Sequence, residues 1–478
     1  MLSRFKELLM LAPLVNVFKV PELRKKIFFT LALLTVCRLG VYVPVPGVNT
    51  QAVTESLKAI GEQTPTDDAG GLGTRMINLV DMFAGGALNR CTVFALGVMP
   101  YISASIIFQL LTTVIKPLEE LSKEGEAGRK KITQYTRYAT VLLCIVQGFF
   151  VAKWIVNLEV PNSTLKFVEN DDFGYYLSAI FSVTAGTIFL MWIGEQITEF
   201  GIGNGMSLII MSNIIARMPS AISTLARNRF EFSLAATEEN KFGLLMAALL
   251  VAMYLAVVVG VVIIQQAQRR VTVQQAKHTR GRRVYGGQRH YMPLRVNQAG
   301  VIPIIFAQSL LMFPSMILSA VARQMAPGSF RMFLMGLQDQ LQLGSFVYVM
   351  IYTAMIFFFC FFWTAIVFNP IKMADDMKQY GHFIPGIRPG NRTADYLEKL
   401  MTRITLAGAA FLAAIAILPQ LISRGLDLGY AAASLYGGTG LLIVVGVALD
   451  LVQKIESHLL MRHYGGFMKG RKIRGSRR

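Results

Sequence analysis

Long apolar runs separated by polar segments dominate the chain. Each run has close to the roughly 20 residues that a helix needs to cross the hydrocarbon core of a bilayer. The runs are residues 27–45, 91–115, 135–156, 174–194, 206–225, 242–264, 299–322, 345–368, 403–422 and 434–453. They predict ten transmembrane helices, and hence an all-α integral membrane protein.

A segment just before the second run breaks this pattern. Residues 78–90, NLVDMFAGGALNR, are too short and too polar to cross a bilayer, yet they adjoin a full span. Broken backbone at membrane depth is tolerated where protein buries it or where it lines a water-filled cavity. The segment therefore indicates a pore, with a re-entrant loop that merely packs as the alternative.

Two arginines, Arg38 and Arg217, lie inside apolar runs. An unpaired charge at that depth is costly. We expect Arg38 to face the interior of the helix bundle, to reach a carbonyl partner or to extend toward the outer surface, and to serve a structural role.

The composition agrees with a membrane protein and shows no catalytic chemistry. Hydrophobic residues make up 54% of the chain and charged residues 16%, unlike a soluble domain of this length. The four cysteines have no metal-ligand spacing, so neither a disulfide framework nor a zinc site is predicted. The sequence contains no nucleotide-binding, metalloprotease or nucleophile motif. We expect no enzymatic activity, no catalytic residue, no metal and no cofactor.

The distribution of positive charge predicts the orientation. With the amino terminus inside, the cytoplasmic segments hold 34 of the 47 Lys and Arg residues, so the positive-inside rule places both termini in the cytoplasm. Residues 1–26 contain Pro13 and Pro21 and lack a small-residue cleavage site. They predict an interfacial amphipathic helix rather than a signal peptide.

An even number of spans allows a division into two halves. The first half is residues 27–225, residues 226–241 form an outer linker, the second half is residues 242–453, and residues 454–478 form a basic cytoplasmic tail. Because five is odd, the second half enters the membrane with opposite topology, which permits an inverted repeat. The two halves show no strong similarity residue by residue, so the repeat is inferred from topology alone.

The loop of residues 265–298 carries eight Lys and Arg residues and no acid. Alternation around residues 270–273 predicts a β-hairpin that ends near Gly286 and Gly287. The arginines expected at its tip are Arg280, Arg282, Arg283 and Arg289. Such a tip suits RNA phosphates or an acidic protein, with a plain solvated loop or a contact to anionic lipid as the alternatives.

Prolines and glycines in the loop of residues 369–403 predict a rigid turn that carries Arg388. A charge held on a stiff exposed turn loses little entropy when it binds a partner. This loop is therefore a second candidate for partner docking.

Apolar pairs four residues apart mark two of the spans. Val98 and Ile102 lie on one helix face, with Pro100 between them as a local distortion, and Met206 and Ile210 repeat the spacing. Such pairs are usually ordinary core. Periodicity alone does not separate a pore constriction from packing.

Seven segments stand out by their length and order. They are MFAGGALNRCTVFALGVMPYISASIIFQLL, KEGEAGRKKITQYTRY, FLMWIGEQITEFGIGNGMSLII, GRRVYGGQ, LRVNQAGVIPIIFAQS, FFFCFFWTAIVFNP and PGIRPGNRTADYL. Together they resemble the bacterial SecY family, the central subunit of the Sec protein-conducting channel, or translocon. The resemblance extends from about Arg24 to about Gln453.

The resemblance implies ten helices in two pseudosymmetric inverted halves of five around a central pore, closed by a short plug helix at residues 79–90. The implied plug residues are Asp81, Met82, Phe83, Gly85, Gly86, Leu88, Asn89 and Arg90. The implied pore ring is Val98, Ile102, Met206, Ile210, Ile305 and Ile443. In the implied lateral gate, Ser103 and Gln109 would lie opposite Gln308 and Phe313, and the implied docking residues are Arg282, Arg283 and Arg388.

The resemblance also implies a function and its partners. A passive channel would pass unfolded secretory polypeptides across the bacterial cytoplasmic (inner) membrane and release hydrophobic segments sideways into lipid. Expected partners are small membrane subunits of the SecE and SecG type, the SecA motor ATPase, the ribosome with its rRNA and proteins, signal sequences, nascent polypeptides and anionic lipids. The alternatives are a ten-span secondary transporter of a small solute and a membrane-anchored scaffold.

Overall fold

The structure is a computed structural model. It describes residues 20–53, 55, 81, 83–156, 167–168, 172–229, 244–276, 278–280, 283–285, 287, 289–308, 310–311, 318, 329–341, 345–425 and 438–469. The predicted amphipathic segment before residue 20 and the end of the basic tail lie outside the described residues.

Helices account for most of the described residues. They are α1 (Pro21–Gly40), α2 (Met99–Val114), α3 (Lys116–Lys123), α4 (Glu126–Val156), α5 (Phe173–Phe200), α6 (Gly205–Arg229), α7 (Leu244–Gln266), α8 (Ser329–Gln340), α9 (Phe346–Val367), α10 (Pro370–Gln379), α11 (Asn391–Gly425) and α12 (Gly438–Lys469). The strands are β1 (Gln268–Gln275), β2 (His278–Arg280), β3 (Arg283–Tyr285), β4 (Arg289–Arg295) and β5 (His382–Phe383).

Within this part of the chain, five helical segments are long and apolar enough to cross a membrane. They are α4, α5, α7, the segment of α9 and α10, and α11 as far as Ile422. Helices α2 and α3 are bent by 100° at their junction, and they add a sixth span if the two together form one broken span. A predominantly helical membrane protein is therefore confirmed, whereas the count of ten spans stays a prediction.

Prolines mark where several helices begin. Pro21, Pro100, Pro117 and Pro370 each occupy one of the first two positions of a helix, where a missing N–H leaves no hydrogen bond unmade. At α10 the Asn369 side chain also accepts a hydrogen bond of 3.1 Å from the Lys372 N–H. Pro100 thus begins a helix and does not distort one, which corrects the sequence-based interpretation.

The second apolar run is helical only in its later part. The prediction placed a span at residues 91–115, but α2 begins at Met99 and the residues before it form turns. Cys91 and Gly97 have positive φ angles of 49° and 57°, which no α-helix accommodates. The run is apolar because its turns are buried, so hydropathy alone placed the start of the helix too early.

Glycines allow α5 and α6 to approach closely where they meet. A Cβ atom at Gly205 would lie 1.9 Å from the Gly194 carbonyl oxygen, and one at Gly194 would lie 2.2 Å from the sulfur of Met206. The Gly205 N–H donates to the Thr198 hydroxyl at 2.8 Å. The glycine-rich connection at residues 201–205 therefore lets the chain turn sharply between the two helices, because glycine lacks a side chain that would collide.

By its internal contacts the described chain divides into two compact units. The first contains the described residues up to Ser220 and those from Val447 onward, and in it α4 packs against α2 and α5, and α1 against α5. The second contains the described residues from Ala221 to Gly446, and in it α11 packs against α9 and α10. All four cysteines are buried and free.

The basic loop of the second unit forms the predicted hairpin, but the hairpin does not end where the sequence predicts. Strands β1 and β4 pair antiparallel from Gln268 opposite Arg295 to Gln274 opposite Arg289, and β5 pairs with the other edge of β1. Beyond them β2 and β3 form a smaller hairpin in which Arg280 faces Arg283. The hairpin packs through buried Val271 and Leu294 on apolar residues of the 369–403 loop and α11.

The prediction that the hairpin ends near Gly286 and Gly287 is therefore wrong, whereas Arg280 and Arg283, two of the arginines predicted at its tip, pair opposite each other in β2 and β3. Gly287 has a φ of 79°, and its N–H donates a hydrogen bond to the Gln275 carbonyl at 3.2 Å. This bond lies where the β1–β4 pair meets the β2–β3 pair. A glycine at that point allows a bend between the two pairs of strands and does not mark the end of the hairpin. Arg289 is consequently the first residue of β4, opposite Gln274, and does not lie at the tip.

Candidate functional site

The stub, residues 81–90 with Met82 outside the described residues, is folded around one buried carboxylate. Asp81 is fully buried. Its Oδ1 accepts hydrogen bonds from the N–H groups of Leu88 at 2.9 Å and Asn89 at 3.1 Å, and its Oδ2 accepts one from the Asn89 side chain at 2.7 Å. The Gly86 N–H also donates to the Asp81 carbonyl at 3.1 Å. One acidic residue therefore satisfies the polar groups of the turn that follows it.

An arginine from α6 compensates the charge of that carboxylate. Arg217 Nη1 lies 2.9 Å from Asp81 Oδ2, and the Arg217 side chain is 30% exposed. Both charges lie where an unpaired ion would be costly. The ion pair therefore ties the stub to α6.

Arg38, from α1, makes a second link to the stub. Its guanidinium donates to the Gly85 carbonyl at 3.4 Å, to the Ser212 hydroxyl at 3.4 Å and to the Asn213 side-chain oxygen. The Asn213 side-chain NH₂ group in turn donates to the Phe83 carbonyl at 2.8 Å. The prediction that Arg38 reaches a carbonyl partner within the bundle is confirmed.

The glycines of the stub have different surroundings. Gly85 has a φ of 69°, and a Cβ atom there would lie 2.8 Å from Arg38 Nη2. Gly86 has a φ of 91°, but a Cβ atom there would meet no atom of the described residues within 4 Å. The backbone of Gly85 therefore approaches the guanidinium as closely as it does because the residue lacks a side chain.

Turns fasten the stub to the chain around it. The Val45 N–H donates to the Cys91 carbonyl at 2.9 Å, and the Val93 N–H donates to the Val43 carbonyl at 3.0 Å. The guanidinium carbon of Arg90 lies 4.5 Å from the centroid of the Tyr42 ring. These contacts join the end of the stub to the segment that follows α1.

Four of the predicted ring residues lie in the first unit. Val98 caps the amino end of α2, and Ile102 follows one turn later. Met206 and Ile210 lie in the first two turns of α6, which Asn204 caps by accepting a hydrogen bond from the Met206 N–H at 3.1 Å. Val98 and Ile210 are buried, and the other two are partly buried.

The other two ring residues, Ile305 and Ile443, lie in the second unit. Ile305 is partly buried in the helical residues 302–308, and Ile443 is buried in α12. Both are apolar helical residues, as a constriction requires. That the six residues form one ring stays a prediction.

The predicted gate and docking residues are described only in part. Ser103 and Gln109 lie on α2, with Ser103 partly buried and Gln109 exposed, and Gln308 is partly buried. Arg388 is exposed on a turn between Gly386 and Gly390, as predicted, and its carbonyl accepts a hydrogen bond from Thr393 at 3.0 Å. Arg283 lies at the start of β3. Phe313 and Arg282 lie outside the described residues.

Sequence reasoning missed the residues that hold the stub. It identified Arg38 and Arg217 as intramembrane charges but not their partners, and it did not single out Ser212 or Asn213. The available signal was the acid in the stub, because a buried cation is expected to have a counter-ion. The small polar pair within the α6 run was a weaker signal, since such residues are common in membrane helices.

Among the described residues no three His, Cys, Asp or Glu side chains come together in a way that could hold a metal ion. What the site offers is instead a buried charge pair, apolar residues at the ends of two helices, and a short folded segment.

Comparison with known proteins decides the family. The family model for SecY matches residues 92–452. The chain belongs to the SecY family. It is 42% identical over 462 residues to the protein translocase subunit SecY of Thermotoga maritima, which covers 97% of this chain and 99% of that protein. It is 40% identical over 454 residues to SecY of Escherichia coli K12, covering 95% and 96% of the two chains.

Solved structures show a similar fold at low identity. A structure described as a protein-conducting channel matches with a TM-score of 0.53 at 17% identity, covering 91% of this chain and 92% of that one. A second, described as showing that the SecY plug domain stabilises the closed channel and maintains a membrane seal, matches with a TM-score of 0.51 at 17% identity and the same coverage. A third, Sec61 in the canine ribosome–channel complex, matches with a TM-score of 0.50 at 15% identity over 91% of this chain and 92% of that one.

Proposed function

We propose that the chain is the central subunit of a channel that passes unfolded secretory polypeptides across the bacterial cytoplasmic membrane and releases hydrophobic segments sideways into lipid. The family, whose members are protein translocase subunits, supports the general function. In this proposal ten spans form two inverted halves of five, and both termini lie in the cytoplasm. The stub is the plug, and the six apolar residues form the pore ring.

The observation that carries the proposal is the folded stub. Its residues are largely buried although the segment is too short to span a membrane, and charged residues of α1 and α6 hold it. A re-entrant loop that only packs needs no pair of charges at its edge. A segment that closes a passage must be held in place and must also be able to leave, and polar contacts allow both.

An apolar ring suits a channel for polypeptides of any sequence. Val98, Ile102 and Ile210 offer a passing side chain nothing specific to bind, and a narrow apolar constriction excludes water by dewetting. Met206 adds a flexible side chain that can adapt to what passes. The seal and the path can therefore be the same element.

The basic surfaces of the second unit would dock the energy source. Arg283, near the tip of the hairpin, and Arg388, on its stiff turn, would contact the SecA motor or the ribosome, with Arg282 beside them. The canine structure similar in fold is a ribosome–channel complex, which supports this assignment. Small subunits of the SecE and SecG type would complete the channel, and anionic lipids would contact the basic loops.

Lateral release would occur between α2 and the segment that contains Gln308 and Phe313. Cysteines at Ser103 and Phe313, in a chain with the four native cysteines replaced, should cross-link in the resting state with a short bifunctional reagent. The locked channel should then neither insert membrane proteins nor secrete, and reduction of a cleavable cross-link should restore both. Unimpaired insertion with a complete cross-link would overturn the gate. Solute-dependent thermal stabilisation, without copurifying small subunits, would instead indicate a transporter.

A further inference from the structure

The contacts of the stub fall into two groups that behave differently when it moves. Hydrogen bonds from Leu88 and Asn89 to Asp81 lie within the stub, so they travel with it. The ion pair to Arg217 and the hydrogen bonds from Arg38 and Asn213 join the stub to α1 and α6. If the stub leaves, this second group must break, whereas the first need not.

The second group contains an ion pair between the stub and α6. Separation of Asp81 from Arg217 leaves a fully buried carboxylate and a partly buried guanidinium without each other. In surroundings of low polarity an uncompensated charge is much costlier than the loss of an apolar contact. The Gly85 and Phe83 carbonyls would lose their donors at the same time.

We propose that Asp81 and Arg217, supported by Arg38 and Asn213, form a latch that holds residues 81–90 against α1 and α6, and that breaking this ion pair sets the barrier to displacement of the stub. The inference rests on the proposed function, in which the stub is the plug. It adds which side chains hold the stub and where it releases. Arg90, whose side chain lies over the Tyr42 ring, is outside the latch.

The latch is tested by the accessibility of Leu88, which is only 4% exposed. The full chain, with its native cysteines replaced and Leu88→Cys introduced, is reconstituted in vesicles and labelled with a membrane-impermeant maleimide. Asp81→Asn and Arg217→Gln should each speed labelling by about tenfold or more, tenfold being equivalent to ~1.4 kcal/mol. The matched control Lys153→Gln also removes one positive charge, at an exposed position of α4 away from the stub, and should label at the parental rate.

A double-mutant cycle separates the ion pair from general loosening. Because the two side chains act as one pair, Asp81→Asn together with Arg217→Gln should label no faster than the faster single variant. The latch would be overturned if the rate increases of the two single variants multiplied in the double variant. It would also be overturned if both single variants labelled at the parental rate. Thermal unfolding of each variant shows whether it is folded, and Arg217→Lys, which keeps the charge, should label more slowly than Arg217→Gln. Equal rates for those two variants would also contradict a latch based on charge.

Ion conductance of the same vesicles distinguishes failure of the latch from failure of the plug. Deletion of residues 83–88 should raise conductance if the stub is the plug. If the deletion raises conductance but both single variants label at the parental rate, the latch is overturned and the plug role stands. If instead the single variants label fast, the double-mutant cycle shows coupling and the deletion does not raise conductance, the latch is supported and the plug role of the stub is overturned.

Discussion

Single residues determine the shape of the stub. Asp81 collects two backbone donors and one side-chain donor, while Arg217 compensates its charge. Gly85 supplies a left-handed backbone conformation where a guanidinium leaves no room for a side chain. Substitutions can measure what the ion pair and Gly85 each contribute to the stability of the stub.

Two adjacent glycines provide a matched pair. Gly85→Ala and Gly86→Ala both place a Cβ atom at positive φ, which costs about 1–2 kcal/mol. Only at Gly85 does the new atom also meet Arg38, and overpacking of that kind costs a further ~1–3 kcal/mol. We expect Gly85→Ala to lower the thermal unfolding temperature of the purified chain more than Gly86→Ala does. Equal losses would show that the contact with Arg38 is not tight.

The ring residues should control ion leakage. Polar replacement of Ile102 together with Ile210 by Asn should make vesicles leaky to ions while some protein export remains, because the seal is lost and the path is kept. The control replaces Leu142 and Val146, which are exposed on α4, in the same way. Conductance no higher in the ring variant than in the parent and the control would remove these residues from the ring.

The charge on the stiff turn should matter for docking and not for folding. Arg388→Glu should weaken affinity for the SecA motor or the ribosome and impair export, since the side chain is exposed. Lys372→Glu, an equal change of charge at an exposed position of α10, is the control. Unchanged thermal unfolding is expected in both variants. Normal affinity of Arg388→Glu for both partners would show that Arg388 is not a contact.

At the scale of elements, glycines set how closely helices approach. Gly205→Ala would force a Cβ atom to within 1.9 Å of a backbone oxygen of α5, so the helices must shift, at a cost of about 1–3 kcal/mol. Gly260→Ala in α7 would meet no atom of the described residues within 4 Å and should instead stabilise by up to ~1 kcal/mol, because alanine is the better helix former. Thermal unfolding of the two variants should therefore move in opposite directions. A neutral Gly205→Ala would contradict the close packing of α5 and α6.

Hydropathy predicted the elements better than their ends. It located the long helices because a span must be apolar, and it located the hairpin because β1 alternates. It missed the start of α2, since the buried turns from Cys91 to Gly97 are as apolar as a helix. The sequence also indicated that the hairpin ends near Gly287, where the structure instead has the junction between the β2–β3 pair and the β1–β4 pair. Composition shows where glycine is needed, but not which of several bends it serves.

The site shows the same division between local pattern and distant pairing. The stub and the apolar pairs were visible as local patterns along the chain. The partners of the stub were not, because Asp81 and Arg217 are 136 residues apart, the difference of their positions. Pairing of distant charges follows from the folded arrangement of α1, α6 and the stub. Charge at membrane depth indicates that a partner exists but not which residue it is.

At the scale of the whole molecule, family membership and the apolar helices agree on a membrane-embedded translocase subunit. In the proposed function the chain depends on partners for energy, and its own residues open, seal and guide. The proposed latch, ring and docking turn would divide those tasks among separate parts of the sequence. Their roles in a channel rest on one claim, that a polypeptide passes through the ring.

Site-specific cross-linking tests that claim most directly. A photoreactive residue replaces Ile102, or exposed Val146 as the control, in the full chain engaged with a secretory polypeptide arrested midway through export. We predict that Ile102 cross-links to the arrested polypeptide and that Val146 does not. Cross-linking from Val146 alone, or from neither position while the polypeptide is demonstrably arrested in the membrane, would contradict passage through the ring.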